Sequence, residues 1–282
     1  MKNIRIIPRL DIKGPNVVKG IHLEGLRVVG EPKEFAKFYY ESGADELLYM
    51  DVVASLYNRN SLKDIIEETA KELFIPLTVG GGLRTIDDIR SVLNAGADKV
   101  VLNTAAIKNP QLIKEASEKF GSSTIVIAIE AIRQENGKYF AFIDNGREFT
   151  GKEVVDWALE AEELGAGELL ITSVDNEGTG AGYNYELISE VSNVIKIPLI
   201  VHGGAGNINH VKDVIEITKI DAVAISSLFH YETLKNLKFA KKEMIEGNQD
   251  FLRSGASNTK IKSVFIGDLK NFLRDSGIDI RI

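Results

Sequence analysis

Ile75-Pro76-Leu77-Thr78-Val79-Gly80-Gly81-Gly82 returns as Ile197-Pro198-Leu199-Ile200-Val201-His202-Gly203-Gly204, about 120 residues further on. Gly43-Ala44-Asp45-Glu46-Leu47-Leu48 returns at the same offset as Gly165-Ala166-Gly167-Glu168-Leu169-Leu170. Each passage holds a short apolar, β-branched run, the pattern of a buried parallel strand. Working outward, the same kind of run occurs at 4–10, 45–52, 75–81, 97–103, 123–131, 167–174, 197–204 and 221–227. Amphipathic stretches of helical length separate them, at 32–42, 61–73, 85–95, 110–120, 152–164, 185–195 and 208–218. Strands alternating with helices imply parallel pairing, and eight such units are the number that closes a (β/α)8 TIM barrel. The internal repeat makes that α/β barrel two duplicated half-barrels of four βα units each. One domain spanning 1–282 is expected, with 241–266 a polar, turn-rich inserted loop before a last helix at 267–276.

The composition narrows the function classes. The chain has 282 residues, 44% of them hydrophobic and 27% charged, enough for a sizeable core. A net charge of -7, without Lys and Arg clustered among aromatics, argues against nucleic acid as a partner. The absence of cysteine rules out disulfides and thiolate chemistry, and His22, His202, His210 and His230 are too scattered for a metal cluster. No cofactor and no metal are expected. The opening MKNIRIIPRL lacks a signal-peptide core and no apolar run reaches membrane-spanning length, so a cytoplasmic location away from membranes is expected.

The duplication extends to a candidate binding site. Gly80-Gly81-Gly82 follows the third strand and Asn103-Thr104 the fourth; the second half supplies Gly203-Gly204-Ala205-Gly206 and Ser226-Ser227. Glycines at strand ends let backbone N–H groups approach a ligand, and short hydroxyl residues at helix starts add donors. Two such places suit a small-molecule substrate with a phosphate at each end, held by Gly82, Asn103 and Thr104 in one half and by Gly204, Ser226 and Ser227 in the other. Carboxylates stand at strand ends, where barrels hold their chemistry: Asp11, Asp51 and Glu130, with Asp175 and Glu177 after the sixth strand. Asp11 and Glu130 occupy equivalent ends in the two halves and can divide acid and base work across the barrel mouth. Capping is as good an account of Asp51 and Asp175. At the opposite end, Arg5, Glu46, Lys99 and Glu168 each begin a strand, and alternation turns them inward, Arg5 with Asp11, Lys99 with Asn103 and Glu168 with Thr172. Two cations and two anions there can close a ring.

Arg5-Ile6-Ile7-Pro8, Leu10-Asp11-Ile12-Lys13, Val17-Val18-Lys19-Gly20, Asp51-Val52-Val53-Ala54-Ser55, Thr78-Val79-Gly80-Gly81-Gly82, Asn103-Thr104-Ala105-Ala106 and Gly203-Gly204-Ala205-Gly206 together resemble the cyclase subunit family of imidazole glycerol phosphate synthase. The resemblance runs from residue 4 to about 240 and implies a lyase of histidine biosynthesis. Such an enzyme takes ammonia from a separate glutaminase subunit. It converts a ribulosyl aminoimidazole carboxamide nucleotide carrying two phosphates into imidazole glycerol phosphate and an aminoimidazole carboxamide ribotide. The resemblance implies Asp11, Glu130 and Lys19 as catalytic residues, with Lys19 on a loop 14–30. It also implies that the Arg5, Glu46, Lys99 and Glu168 ring gates ammonia from a glutaminase, bound as a heterodimer at the N-terminal barrel face.

Four positions depart from the family, which usually has Cys at 9, Asp at 130, Asp at 177 and Ser at 202. Here they are Arg9, Glu130, Glu177 and His202, each larger. Strand parity puts Arg9 in the lumen, able to pair with Asp11 or Glu130; the longer Glu130 is the expected partner, held ionised by the guanidinium. These departures keep a second reading open: an ammonia-relaying partner of a glutaminase in sugar amidation for surface polysaccharide synthesis.

Overall fold

A computed structural model describes residues 3–54, 62–236 and 260–281. Within β1 (Arg5–Lys13) the side chains alternate between two apolar environments. Ile6, Leu10 and Ile12 join the large core under the helices, whereas Ile7 joins a smaller one formed with Leu48, Val126, Leu170, Ile200 and Ala224. A strand buried on both faces belongs to a parallel sheet covered by helices. Accordingly β1 runs parallel to β4 (Leu47–Asp51), followed by β5 (Leu77–Gly80), β6 (Lys99–Leu102) and β7 (Ile125–Arg133). The ladder continues through β10 (Glu168–Ser173), β11 (Leu199–His202) and β12 (Ala222–Ile225), which pairs back onto β1. Eight parallel strands thus close on themselves as the repeat implies, and the smaller core fills the lumen.

Helices α1 (Pro32–Glu41), α2 (Lys63–Ala70), α3 (Ile86–Asn94), α5 (Gln111–Phe120), α6 (Val154–Glu163), α7 (Tyr185–Ser192) and α8 (Ile208–Ile217) occupy the expected stretches. Their ends fall where local chemistry sets them. Thr85 accepts from the Asp88 backbone N–H at 3.1 Å while the Asp88 carboxylate accepts from that of Thr85 at 2.9 Å, a reciprocal cap that starts α3. Asn207 likewise caps α8. Two further helices, α4 (Thr104–Lys108) and α9 (Ser227–Asn236), begin at the hydroxyl residues that follow β6 and β12. The last helix, α10 (Ile266–Asp275), is tied beneath the barrel by a buried ion pair of 2.7 Å between Lys270 and Asp45.

One expectation needs correction. The stretch 14–30 is an antiparallel hairpin of β2 (Asn16–Ile21) and β3 (Glu24–Gly30), paired to the overshooting end of β1. An equivalent hairpin, β8 (Tyr139–Ile143) with β9 (Glu148–Glu153), pairs to the end of β7. Asp11 lies opposite Val18 and Glu130 opposite Phe142, so both carboxylates stand where a barrel strand leaves the barrel for its hairpin. The duplication therefore places two acids and two flaps around one mouth. Of the proposed insertion at 241–266, residues 241–259 lie outside the described residues; 260–265 runs as irregular chain into α10, with the Lys262 N–H donating to the Gly206 carbonyl at 2.7 Å.

Candidate functional site

At the N-terminal end of the lumen Arg5, Glu46, Lys99 and Glu168 meet. Arg5 donates to Glu46 at 2.9 Å and to Glu168, while Lys99 reaches Glu46 at 3.2 Å and Glu168 at 3.0 Å. Each cation bridges both anions, and Thr78 donates a further hydrogen bond to Glu46. Burial works against the charge of Arg5, but Glu168 and Glu46 outweigh it and its pKa is raised. These ion pairs join four strands across the lumen floor.

Above the floor and the apolar lumen lies the C-terminal mouth. On the side of the first half a cavity of about 360 Å³ is lined by Gly82, Asn103, Thr104, Asp51, Glu130 and Arg9, among others. The glycines before it have a steric reason. Gly81 has φ +103°, and a Cβ there would strike the Asp51 carbonyl, so only glycine lets the loop turn this close to β4. Asp51 accepts from the Val53 N–H at 3.1 Å, fixing the loop after β4. The carboxamide Oδ1 of Asn103 is buried without a hydrogen-bond partner, and Arg84 and Lys108 add positive charge to the cavity wall.

The corresponding residues of the second half enclose a smaller space. Gly203, Gly204, Ser226 and Ser227 surround a space of only about 10 Å³, room for about one water, with His202 and Glu177 also lining it. Gly204 has φ +111° and packs directly on the Gly182 carbonyl.

Arg9 reaches both sides. It points into the lumen as strand parity requires, but its ion pair is with Asp11, at 2.8 Å, and not with Glu130. The guanidinium leans towards the second half, donating to the Thr172 hydroxyl at 3.2 Å and to Nδ1 of His202 at 3.1 Å. Asp11, two residues along the same strand face, is simply the nearer carboxylate. Glu130 instead accepts from the Gly146 N–H at 2.7 Å, in its own flap. The expectation that Arg9 keeps it ionised fails too. Burial raises the Glu130 pKa from 4.5 to about 7, against the Gly146 amide, the Arg9 charge and the Asn103 side chain.

The flaps bring in the remaining groups. Lys19, on β2, is buried and donates to the Gly20 carbonyl at 2.7 Å; burial lowers its pKa, opposed by Glu177 and Asp11. Glu177 accepts from the Leu23 N–H at 2.9 Å, and burial raises its pKa against Lys19. The Asn145 amide donates to the Leu23 carbonyl at 2.8 Å, and Nδ1 of His22 donates to that of Val174 at 2.9 Å. These bonds hold the β2–β3 turn down over the mouth although His22 and Leu23 both have positive φ, 53° and 60°. Asp175 stands apart: it is exposed and accepts from the Arg133 N–H at 2.9 Å, anchoring the end of β7. Asp144 and Asn145 were missed in the sequence reading, although Asp144-Asn145-Gly146 after the apolar run Tyr139–Ile143 is a hairpin-turn signal. Among the described residues no group of His, Cys, Asp and Glu could hold a metal ion, and no helix is long and apolar enough to cross a membrane.

Comparison with known proteins gives a consistent result. A family described as histidine biosynthesis protein matches residues 5–235. The imidazole glycerol phosphate synthase subunit HisF of Legionella pneumophila is 57% identical over 208 residues, 74% of this chain and 98% of its own length. The proteins of the same name from Lactococcus lactis subsp. cremoris (strain SK11) and subsp. lactis (strain IL1403) are each 46% identical, over 255 and 245 residues. Both cover 86% of this chain, and 98% and 94% of their own lengths.

Proposed function

Because the chain belongs to the histidine biosynthesis protein family and, within it, groups with the HisF subunits, we propose that it is the cyclase subunit of imidazole glycerol phosphate synthase. Its substrate is the ribulosyl aminoimidazole carboxamide nucleotide, and its products are imidazole glycerol phosphate and an aminoimidazole carboxamide ribotide. The observation that carries the reading is the common axis of the barrel: an ion-pair ring at one end, an apolar lumen, and paired carboxylates at the other. Ammonia is small and uncharged, so an apolar lumen passes it while excluding ammonium, and the charged ring governs access. The glutaminase docks on the N-terminal face, where the ring lies, as a heterodimer. A biosynthetic role of this kind belongs in the cytoplasm.

Closing an imidazole ring with ammonia requires protons to leave the entering nitrogen and to reach the departing oxygen. Glu130, neutral up to about pH 7, donates; Asp11, a carboxylate beside Arg9, accepts. One substrate phosphate sits on Gly82, Asn103 and Thr104, at the start of α4, and the other on Gly204, Ser226 and Ser227, at the start of α9. Lys19 and the flaps close over the bound nucleotide. The ammonia-relay reading in sugar amidation gains nothing from the relatives, and the observation that suits it is Arg9 holding Asp11. The test reconstitutes the chain with the glutaminase subunit of an imidazole glycerol phosphate synthase: glutamine-driven ring closure is expected. Glutamine hydrolysis without ring closure, or absence of a complex, contradicts the reading.

A further inference from the structure

Gly82, Asn103 and Thr104 open on the mouth cavity of about 360 Å³, whereas the space between Gly204, Ser226, Ser227 and His202 is about 10 Å³. A closed circuit of hydrogen bonds runs beside the smaller space. Arginine has donors only, so its 3.1 Å contact makes Nδ1 of His202 the acceptor and leaves the imidazole proton on Nε2. Nε2 faces the Ser226 hydroxyl at 3.4 Å, and that hydroxyl donates to the Arg9 carbonyl at 3.0 Å. The circuit starts at the Arg9 side chain and ends at the Arg9 backbone.

Two consequences follow for a ligand. The imidazole fills space that a phosphate needs, and the Ser226 proton is turned towards Arg9 and away from the cradle. Glu177 lines the same space, its carboxyl accepting from the Leu23 N–H, and an acidic residue there is unsuited to an anion. In the first half the repeat puts Gly80, which has no side chain, at the position of His202, and the hydroxyl of Thr104 bonds the rim residue Asp144.

We propose that His202 is a specificity-determining residue which, locked by Arg9, keeps the second phosphate cradle shut, so that the resting protein has one preformed phosphate site and not two. The inference rests on the reading of both cradles as phosphate sites and adds an order to their use. A doubly phosphorylated substrate docks first on Gly82, Asn103 and Thr104. Its second phosphate enters only when His202 turns out of the cradle. That movement removes an acceptor of the Arg9 NH1 group and leaves the Nε–Asp11 ion pair in place.

The test titrates the full chain with inorganic phosphate by calorimetry and locates the ions in phosphate-soaked crystals. Wild type is expected to bind one ion, at Gly82 and Thr104. His202→Ser is expected to bind two, its second site tightened by roughly 10- to 100-fold because two hydrogen bonds no longer have to be broken. His202→Ala, which also empties the cradle, serves if the serine variant does not fold. Two ions bound to wild type with similar affinity overturn the inference, as does a single ion in both wild type and variants. Phosphate bound by neither protein overturns the phosphate reading of the cradles themselves. Ring closure enters none of these readouts, so they stand apart from failure of the cyclase assignment.

Discussion

Replacing Glu130 by Gln keeps the shape of the side chain and an acceptor for the Gly146 N–H, but removes the only atom that titrates. The native carboxyl titrates at about 7 because burial disfavours its charge, whereas the ordinary value is 4.5. Below pH 4.5 both folded and unfolded chains hold the proton, and the group costs nothing. Between 4.5 and about 7 the unfolded chain releases it while the folded chain keeps it, so stability falls as pH rises. Above about 7 the loss is complete, at most about 3 kcal/mol, and about 2 once water reaching the cavity is allowed for. Glu130→Gln should therefore unfold at nearly the same temperature as wild type at pH 4. At pH 8 it should be more stable by about 2 kcal/mol, roughly 4–8 °C for a chain of this size. Thermal unfolding followed by circular dichroism at both pH values measures this. A gain of the same size at both, or a variant less stable than wild type at pH 8, would refute the burial argument and with it the role of Glu130 as the acid.

Other outcomes follow from the same geometry. Lys99→Met leaves Glu46 and Glu168 sharing Arg5 and should destabilise the chain by about 2–3 kcal/mol in denaturant titration, partly recovered by adding Glu46→Gln. In a double-mutant cycle on stability, Arg9→Met and Asp11→Asn should couple by about 0.5–3 kcal/mol, because the ion pair joins these two residues. Glu177→Ala removes the acceptor for the Leu23 N–H and should raise proteolytic cleavage in the β2–β3 turn by roughly five- to tenfold, as expected from one lost hydrogen bond.

What the sequence made legible and what it hid have separable physical reasons. Strand positions are written in periodicity: Ile7 and Arg9 face the lumen and Ile6 and Leu10 the helices because alternation fixes them, and the repeat fixes the closure. The ring at Arg5, Glu46, Lys99 and Glu168 was legible for the same reason, since inward charges on neighbouring strands meet. The partner of Arg9 was not. Its guanidinium can swing to either side of the barrel, and the choice of Asp11, Thr172 and His202 depends on acceptors from three strands. The protonation of Glu130 was hidden because it depends on enclosure by the β8–β9 flap, whose strand Glu148–Glu153 carries mixed polarity instead of a clean alternation. Glycine, asparagine and hydroxyl residue types suggest two cradles, but type alone does not tell an open space from a filled one. That needs the volume of His202 in place.

The most direct measurement of the central claim is ring closure itself. Purified chain is incubated with the ribulosyl aminoimidazole carboxamide nucleotide and an ammonium salt above neutral pH, without any glutaminase, and imidazole glycerol phosphate is followed chromatographically. Steady formation of that product together with the aminoimidazole carboxamide ribotide, reduced by roughly 10²-fold or more in Asp11→Asn, is the expected result. Unchanged substrate with the folded wild-type chain, or full turnover by Asp11→Asn, would contradict the account.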